Sequence, residues 1–181
     1  MNIVEEIRKF VEEEFNKPTA KYGPEPYEYH LVPMTSRAGK LGADKEVVLL
    51  AAWMHDIGSS VYGREDHHAT GAEIAGNKLK EFDYPEDKIE LIKKCIYNHR
   101  GSRCDSRETI EEIIIAEADA ISNFDNIAGV FKAAFVFEGH TQGSAKESTR
   151  KKLENKWKQL TLDESKEMVR SKYEAAMILL G

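Results

Sequence analysis

The sequence is poor in the features that define several large classes of protein. Its 181 residues include only two cysteines, Cys95 and Cys104, which do not form a CxxC pair. Neither a disulfide framework nor a cysteine-based metal site is therefore indicated. The 26 basic residues are outnumbered by 32 acidic ones, and the formal net charge is -6. Such a chain is not attracted as a whole to extended nucleic acid or to an anionic membrane, so any basic site must be local.

Long apolar runs are also missing. No run approaches the roughly 20 residues that a membrane helix needs, and the first residues, MNIVEEIRKFVEEEF, are acidic and amphipathic rather than signal-like. We therefore expect a soluble, cytoplasmic protein without a membrane partner. A length of 181 residues with 41% hydrophobic content fits one well-buried core, so we expect residues 1–181 to form a single domain.

Alternating strand patterns are nearly absent, whereas apolar residues recur at helical spacing, which predicts an all-α bundle of about seven to nine helices. Pro33 predicts that the segment from Tyr27 to Leu41 is either bent or begins late. The stretch SSVYGRED is predicted to be a loop. Helices are predicted over about residues 3–15, 69–82, 144–160 and 163–180. A further helix is predicted to begin at an Asp44 N-cap and to stop at Gly58, and another to begin after Pro85. The stretch RETIEEIIIAEADAISNFD is also predicted to be helical, and AGVFKAAFVFEGH is predicted to be a core helix.

Several polar residues fall at positions that the helical patterns bury. His55 and Asp56 end the apolar run AAWM, and His99 continues the stripe of isoleucines in the helix that Pro85 opens. Asp119 interrupts an apolar segment and shares a face with Ile115. Buried polar groups need partners, because leaving one unpaired costs about 2–7 kcal/mol even when it is neutral.

A metal ion could bind several of these buried polar groups at once. Imidazole nitrogen and carboxylate oxygen are ligands that suit Mn, Fe, Co, Ni and Zn. Neighbouring His55 and Asp56 at a helix end can both reach an ion beyond that end, and His99 and Asp119 also point inward. His30, close to the irregularity at Pro33, is a fifth candidate. The residues therefore predict a site for a divalent transition metal.

The order of these residues resembles the HD superfamily of metal-dependent phosphohydrolases, which has a scattered H…HD…D pattern. The matches are His30, the HDIG that begins at His55, and Asp119 within AEADAISNFD, with HHATGAEIA and YNHRGS between them. The resemblance covers about residues 27–137 and is strongest to small, mostly uncharacterised members that carry an NHRGS-like stretch. Pro33 stands where a common variant of the family has an arginine.

The resemblance implies a ligand set and a reaction. The histidine of an H-x-x-x-G-A pattern is His67, with His68 as the alternative. A first ion would be held by His30, His55, Asp56 and Asp119, and a second ion, bridged by Asp56, would be held by His67 and His99. In some related proteins such histidines contact phosphate instead, so one or two ions remain open.

The implied reaction is hydrolysis of a phosphate ester, with a nucleotide or another small phosphorylated compound as substrate, in a monomer or homodimer. The metal would lower the pKa of a bound water towards about 7. Asp56, His67 and His99 are the predicted catalytic residues, and Arg100 and Arg64 are the predicted substrate contacts. Two alternatives stay open, an HD-fold di-iron oxygenase and a non-catalytic module that senses a nucleotide or another ligand.

Two further segments are interpreted as structural. The basic run KESTRKKLENKWK is predicted to be a solvated helix face. The aromatic residues Trp53, Phe131, Phe135 and Phe137 are predicted to pack in the core.

Overall fold

The computed structural model describes residues 2–181, apart from the side chain of Cys104, and this described part contains helices and no strands. The predicted all-α class is confirmed. Two π-helical turns, Tyr27–Leu31 and Ala133–Phe137, and a 3-10 helix, Gly101–Ser106, accompany the α-helices. The α-helices are α1 Ile3–Asn16, α2 Val32–Ala38, α3 Lys45–Met54, α4 Ile57–Tyr62, α5 His67–Lys80, α6 Glu86–Asn98, α7 Ile110–Asp125, α8 Ile127–Lys132, α9 Gln142–Gln159 and α10 Asp163–Leu180.

Helix α3 lies in the middle of the larger of two apolar clusters. Asp44 caps its first turn, because its carboxylate accepts hydrogen bonds from the backbone N–H groups of Glu46 and Val47. Seven of its ten residues are buried, as an apolar helix without a polar face requires. Helices α1, α2, α5, α6 and α7 surround it.

Helix α7 joins the two clusters. A capping box between Thr109 and Glu112 fixes its start. Its first half packs into the larger cluster through residues such as Ile115, and its second half packs against α9 and α10 through residues such as Ile121. Asp119 lies at the junction of the two halves, and its side chain contacts both the first π-helical turn and α9.

Gly58 does not stop a helix, and that prediction is wrong. Helix α3 ends at Met54, and Gly58 lies inside α4. The predicted loop SSVYGRED is correspondingly short, because only residues 63–66 are outside helices. A Cβ atom on Gly58 would lie 2.3 Å from the carbonyl oxygen of His67. The glycine therefore permits the close contact between α4 and α5 rather than ending a helix.

The segment around Pro33 starts as a helix and changes type. The chain forms a π-helical turn from Tyr27 and continues in helical conformation as α2, and Pro33, which has no N–H to donate, lies directly after the point where the hydrogen-bond pattern changes. His30 lies within the π-helical turn.

The segment AGVFKAAFVFEGH is not a core helix, so this prediction is wrong. It forms α8 and the second π-helical turn, and Phe135 and Phe137 are 44% and 46% exposed. The wider π-helical turn moves successive side chains off one face, so that Val130 and Ala134 alone in this segment are buried. Of the predicted core aromatics, Trp53 is buried and Phe131 is partly buried against the second cluster.

Within the described residues, every helix is too short or too polar to span a membrane. Cys95 is a buried free thiol, and the side chain of Cys104 lies outside the described part of the structure.

Candidate metal centre

Six predicted ligands converge from five parts of the chain. His30 comes from the π-helical turn, and His55 and Asp56 come from the junction between α3 and α4. His67 opens α5, and His99 follows the last residue of α6. The sixth, Asp119, lies in α7. Most of these positions are helix ends, where a side chain can project beyond the packed faces of the helix.

The first group of ligand-type atoms contains His30, His55 and Asp56. The Nε2 atoms of His30 and His55 are 3.2 Å apart. The Oδ2 atom of Asp56 lies 3.6 Å from Nε2 of His30 and 3.5 Å from Nε2 of His55. Asp119 adjoins this group, since its Oδ1 atom is 3.4 Å from Nε2 of His30.

The second group contains Asp56, His67 and His99. The Nε2 atoms of His67 and His99 are 3.2 Å apart. They face the other carboxylate oxygen of Asp56, with Oδ1 at 3.4 Å from His67 and 3.9 Å from His99. Asp56 therefore offers one oxygen to each group and joins the two.

Backbone carbonyls orient three of the imidazoles in the same way. The Nδ1–H groups of His55, His67 and His99 donate to the carbonyl oxygens three residues earlier, at 2.9, 3.0 and 2.5 Å. His30 has a different support: its Nδ1 atom is hydrogen-bonded to Ser122 Oγ at 2.8 Å, and Ser122 Oγ also lies 2.8 Å from the Asp119 carbonyl oxygen. The carbonyl bonds place a proton on Nδ1 of His55, His67 and His99, and all four rings direct Nε2 into the site.

The spacing of the Nε2 atoms tests whether a cation fits. In each group two Nε2 atoms lie 3.2 Å apart beside a carboxylate oxygen of Asp56, and one cation can bind all three atoms. Two nitrogens about 2.1 Å from one ion, at octahedral or tetrahedral angles, are about 3.0–3.4 Å apart. The residues present therefore fit a divalent metal ion in each group.

The electrostatics of the site favour the protonation states that bind metal. Burial lowers the pKa of His30 to about 4 and that of His99 to about 3, so both are neutral at pH 7. Burial alone would raise the pKa of Asp56, but the surrounding imidazoles hold it below its usual range. Burial opposes ionisation of Asp119 as well, and Lys156 and the histidines outweigh it and lower the pKa. Both carboxylates are therefore ionised.

The two histidines of the HHATG segment have different surroundings. His67 turns into the second group, whereas His68 is buried against the ring of Tyr97, with ring centroids 4.9 Å apart. Arg100 Nη1 lies 3.3 Å from His68 Nδ1 and donates to the carbonyl oxygen of Glu65 at 3.3 Å. Of the two alternatives for this position, His67 is the one whose geometry suits a ligand.

A cavity of about 520 Å³ opens above the two groups. Both predicted substrate contacts, Arg64 and Arg100, line it. The guanidinium of Arg64 is half exposed and lies 3.3 Å from Glu138 Oε1. Aromatic side chains line the cavity too, and Tyr22 and Phe137 meet edge to face there, with ring centroids 5.0 Å apart.

Helix α9 supplies two residues that sequence reasoning missed. Lys156 Nζ lies 2.6 Å from Asp119 Oδ2, and Lys152 lines the same cavity one turn earlier. The prediction of a solvated face for KESTRKKLENKWK is therefore wrong at these positions, because α9 packs against α7 and turns this side of the helix into the site. The spacing of four residues was the only signal in the sequence.

Ser122 and Arg107 were also missed. Ser122 follows Asp119 by three residues on α7, so its place on the same helical face was available from spacing. Arg107 donates to the carbonyl oxygens of Asn98, His99 and Arg100 at 3.0–3.3 Å and so fixes the end of α6 that carries His99.

The fold and the site define a helical protein with a candidate centre for one or two metal ions. A family model described as HD domain matches residues 29–123, more than half of the chain. The chain therefore belongs to the HD domain family, and the resemblance seen in the sequence is confirmed.

Two solved structures share the fold. An HD-superfamily hydrolase from Bacillus thuringiensis is 16% identical, with a TM-score of 0.74, and the match covers 98% of this chain and 92% of the other. A protein of Listeria innocua is 18% identical, with a TM-score of 0.69 and coverage of 98% and 93%. At this identity, the two likenesses concern the fold alone.

Two curated relatives match shorter stretches. An uncharacterized protein of Clostridium beijerinckii is 34% identical over 68 residues, which are 36% of this chain and 43% of that protein. Ribonuclease Y of Alkaliphilus metalliredigens is 33% identical over 99 residues, which are 51% of this chain and 19% of the enzyme. The chain thus spans less than half the length of either relative.

Proposed function

We propose that this HD domain protein is a metal-dependent phosphohydrolase that acts on a nucleotide or another small phosphate ester. One observation carries the proposal: Asp56 presents one carboxylate oxygen to each of two pairs of imidazole nitrogens, and the two Nε2 atoms of each pair lie 3.2 Å apart. Such a paired arrangement suits two neighbouring ions, which is the arrangement that phosphate-ester hydrolysis uses in two-metal sites.

Each side chain has a definite part in this proposal. His30, His55 and Asp119 would hold one divalent transition metal, His67 and His99 would hold a second, and Asp56 would join them. A metal held by these residues would supply a water of lowered pKa and would polarise the phosphoryl oxygen. In His67 and His99, the Nδ1–H group donates to a backbone carbonyl. This hydrogen bond fixes the ring orientation and leaves Nε2 available as the metal ligand.

The lining of the cavity supports a phosphorylated substrate. Arg64 and Arg100 line the cavity, and their guanidinium groups would form charge-assisted hydrogen bonds with phosphate oxygens. The aromatic and amide side chains Tyr29, Phe137, Asn123 and Asn126 line the same cavity and offer stacking and hydrogen-bonding groups of the kind that a nucleobase needs. Ribonuclease Y, one of the relatives, is by name an enzyme of phosphodiester chemistry, which agrees with a reaction at phosphorus.

Metal analysis coupled to a hydrolysis screen tests the proposal. The purified protein should contain about one or two divalent ions per chain, and phosphate or pyrophosphate should be released from at least one nucleotide or small phosphoester with Mn, Fe, Co, Ni or Zn. A protein without metal, or one that is loaded with metal and hydrolyses no phosphate ester, contradicts the proposal. Iron-dependent consumption of O2 would identify an oxygenase instead, and tight nucleotide binding without turnover would identify a sensing module.

A further inference from the structure

The cavity is lined by more basic than acidic side chains, and the candidate metal ligands do not account for this excess of positive charge. Although the whole chain is acidic, five basic residues line the cavity and only three acidic ones do. The basic residues are Arg64, Arg100, Lys132, Lys152 and Lys156, and the acidic residues are Glu25, Asp56 and Asp119. Two of these acids are candidate metal ligands, so with metal bound the cavity is strongly positive and suits a ligand with several negative charges.

Most of these basic groups already have a carboxylate or carbonyl partner. Arg64 is paired with Glu138, Lys132 with Glu25, and Lys156 with Asp119. Arg100 donates to the backbone. Lys152 differs from them, because no hydrogen-bond acceptor among the described residues lies within bonding distance of its ammonium group.

The surroundings of Lys152 make its charge costly. Its side chain is half-buried in the cavity wall. Burial, and then the neighbouring charges of Lys156 and Arg64, lower the pKa of Lys152 to about 8. The more distant carboxylates of Asp119 and Glu138 act in the opposite direction and offset these effects only in part. An anion in the cavity that accepts a hydrogen bond from Lys152 would therefore stabilise its charged form.

The position of Lys152 separates it from the candidate metal centre. Lys156 is in contact with Asp119, and Lys152 precedes it by four residues on α9, one helical turn away and about 6 Å along the axis. The positive charge of Arg64, in the loop before α5, also acts on the Lys152 ammonium. Of these two lysines Lys156 forms the ion pair with Asp119, whereas the charge of Asp119 acts on Lys152 without a hydrogen bond, so the Lys152 ammonium lies beside the candidate centre.

We propose that Lys152, flanked by Lys156 and Arg64, forms a second anion subsite that holds a phosphate group other than the one that is hydrolysed. The inference rests on the proposed function, and it narrows the substrates to polyphosphorylated compounds such as nucleoside diphosphates and triphosphates, rather than phosphomonoesters.

Calorimetric titration with two inorganic probes tests the subsite without turnover. Metal-loaded protein in excess Mg²⁺ is titrated with phosphate and with pyrophosphate. Because one charge-assisted hydrogen bond changes affinity by roughly tenfold or more, we expect wild-type protein to bind pyrophosphate at least about tenfold more tightly than phosphate. Lys152→Met should lose that preference while its phosphate affinity changes less than about twofold.

Matched variants keep the test independent of folding. Lys151→Met removes an exposed lysine at the adjacent position of α9 and should leave both affinities unchanged. Lys152→Arg keeps the charge and should keep the preference for pyrophosphate. Equal affinity of wild-type protein for the two probes overturns the subsite, as does an equal loss for both probes in Lys152→Met.

The outcome can be told apart from failure of the proposed function. A preference for pyrophosphate that depends on Lys152, in a protein that hydrolyses nothing, would support the subsite and refute the hydrolase. Efficient hydrolysis of phosphomonoesters that Lys152→Met does not alter would support the hydrolase and refute the subsite.

Discussion

The two sides of the cavity differ in how much of their structure is local. On the histidine side, each of His55, His67 and His99 is oriented by a carbonyl three residues earlier in its own segment. On the α9 side, Lys156 reaches Asp119, from which it is separated by 37 positions. Short sequence motifs specify the histidine side, whereas the α9 side lines the cavity only because α9 packs on α7. A local motif therefore identifies a centre, and tertiary packing decides what surrounds it.

Replacement of Asp56 by alanine should have the largest effect on the histidine side. Asp56→Ala removes the carboxylate that adjoins both groups, so bound metal should fall below one ion per chain and any hydrolytic activity should fall at least about 100-fold. Metal analysis and the hydrolysis assay measure the two losses. Asp66→Ala is the matched control, because the exposed Asp66 side chain makes no capping hydrogen bond. Full metal content in Asp56→Ala would rule out this ligand assignment.

Removal of metal should be the next largest effect, and it should depend on pH. A ligand that binds only the folded state stabilises it by about 4 kcal/mol at a thousandfold excess over its Kd. For a chain of this size, that corresponds to a rise in melting temperature of roughly 8–16 °C. Melting curves of stripped and metal-loaded protein at pH 7.5 measure it, and no shift at this pH would contradict a metal centre.

The pH dependence follows from the lowered histidine pKa values. The folded-state pKa is about 4 for His30 and about 3 for His99, whereas an unfolded histidine titrates near 6.5. As the pH falls below about 6.5, the unfolded chain takes up protons that the folded chain does not, so stripped protein loses stability. Protons also compete with metal for the imidazoles. Both the melting temperature of stripped protein and the increase on adding metal should be smaller at pH 5.5 than at pH 7.5.

Burial alone does not distinguish the candidate metal ligands from other buried polar residues, as two carboxylates of α7 illustrate. Glu117 and Asp119 both interrupt the same apolar segment, and both are buried. Glu117 accepts hydrogen bonds from the backbone N–H groups of Thr161 and Leu162 and so supports the start of α10. Asp119 faces the histidines. The sequence predicts a ligand role for Asp119 because the H…HD…D pattern ends in an aspartate, whereas Glu117, which also follows His30 and the HD pair, is a glutamate.

The helices were predictable where apolar periodicity was strong, and the errors occur at contacts that no local pattern encodes. The apolar run and Asp44 cap of α3 predicted a central helix, as observed. The prediction that Gly58 ends a helix was wrong. The glycine is needed because the backbone of His67 packs closely against it where α4 contacts α5. Lys152 and Lys156 were misread because a basic stretch usually faces solvent, and only the docking of α9 buries this side of it.

Loss of His99 should separate one ion from two. His99→Ala removes a ligand-type nitrogen from the second group only, so bound metal should fall from about two ions to about one per chain. His68→Ala should leave the metal content unchanged, because His68 contacts Arg100 and Tyr97 rather than the centre. Metal analysis of both variants decides the point. An unchanged metal content in His99→Ala would make His99 a core residue or a phosphate contact.

Replacement of Lys156 should have the smallest effect. It tests whether the α9 side and the histidine side of the cavity are linked through the charge of Asp119. In stripped protein, Lys156 is the strongest counter-charge of Asp119, with Nζ 2.6 Å from Oδ2. Lys156→Met leaves a mostly buried carboxylate without that cation. Breaking such a pair costs roughly 2 kcal/mol when some solvent reaches it, so stripped protein should melt about 4–8 °C lower.

Metal-loaded Lys156→Met should lose much less stability, because a bound metal would supply the positive charge that Asp119 needs. Melting curves of the stripped and loaded variant, beside wild-type protein, measure the difference. Lys158→Met is the control, since Lys158 lies on the same helix but is exposed. If Lys156→Met lowers the melting temperature equally in both states, Lys156 acts through packing and has no electrostatic link to the centre. A loss confined to stripped protein would show that the α9 side and the histidine side share the charge of Asp119.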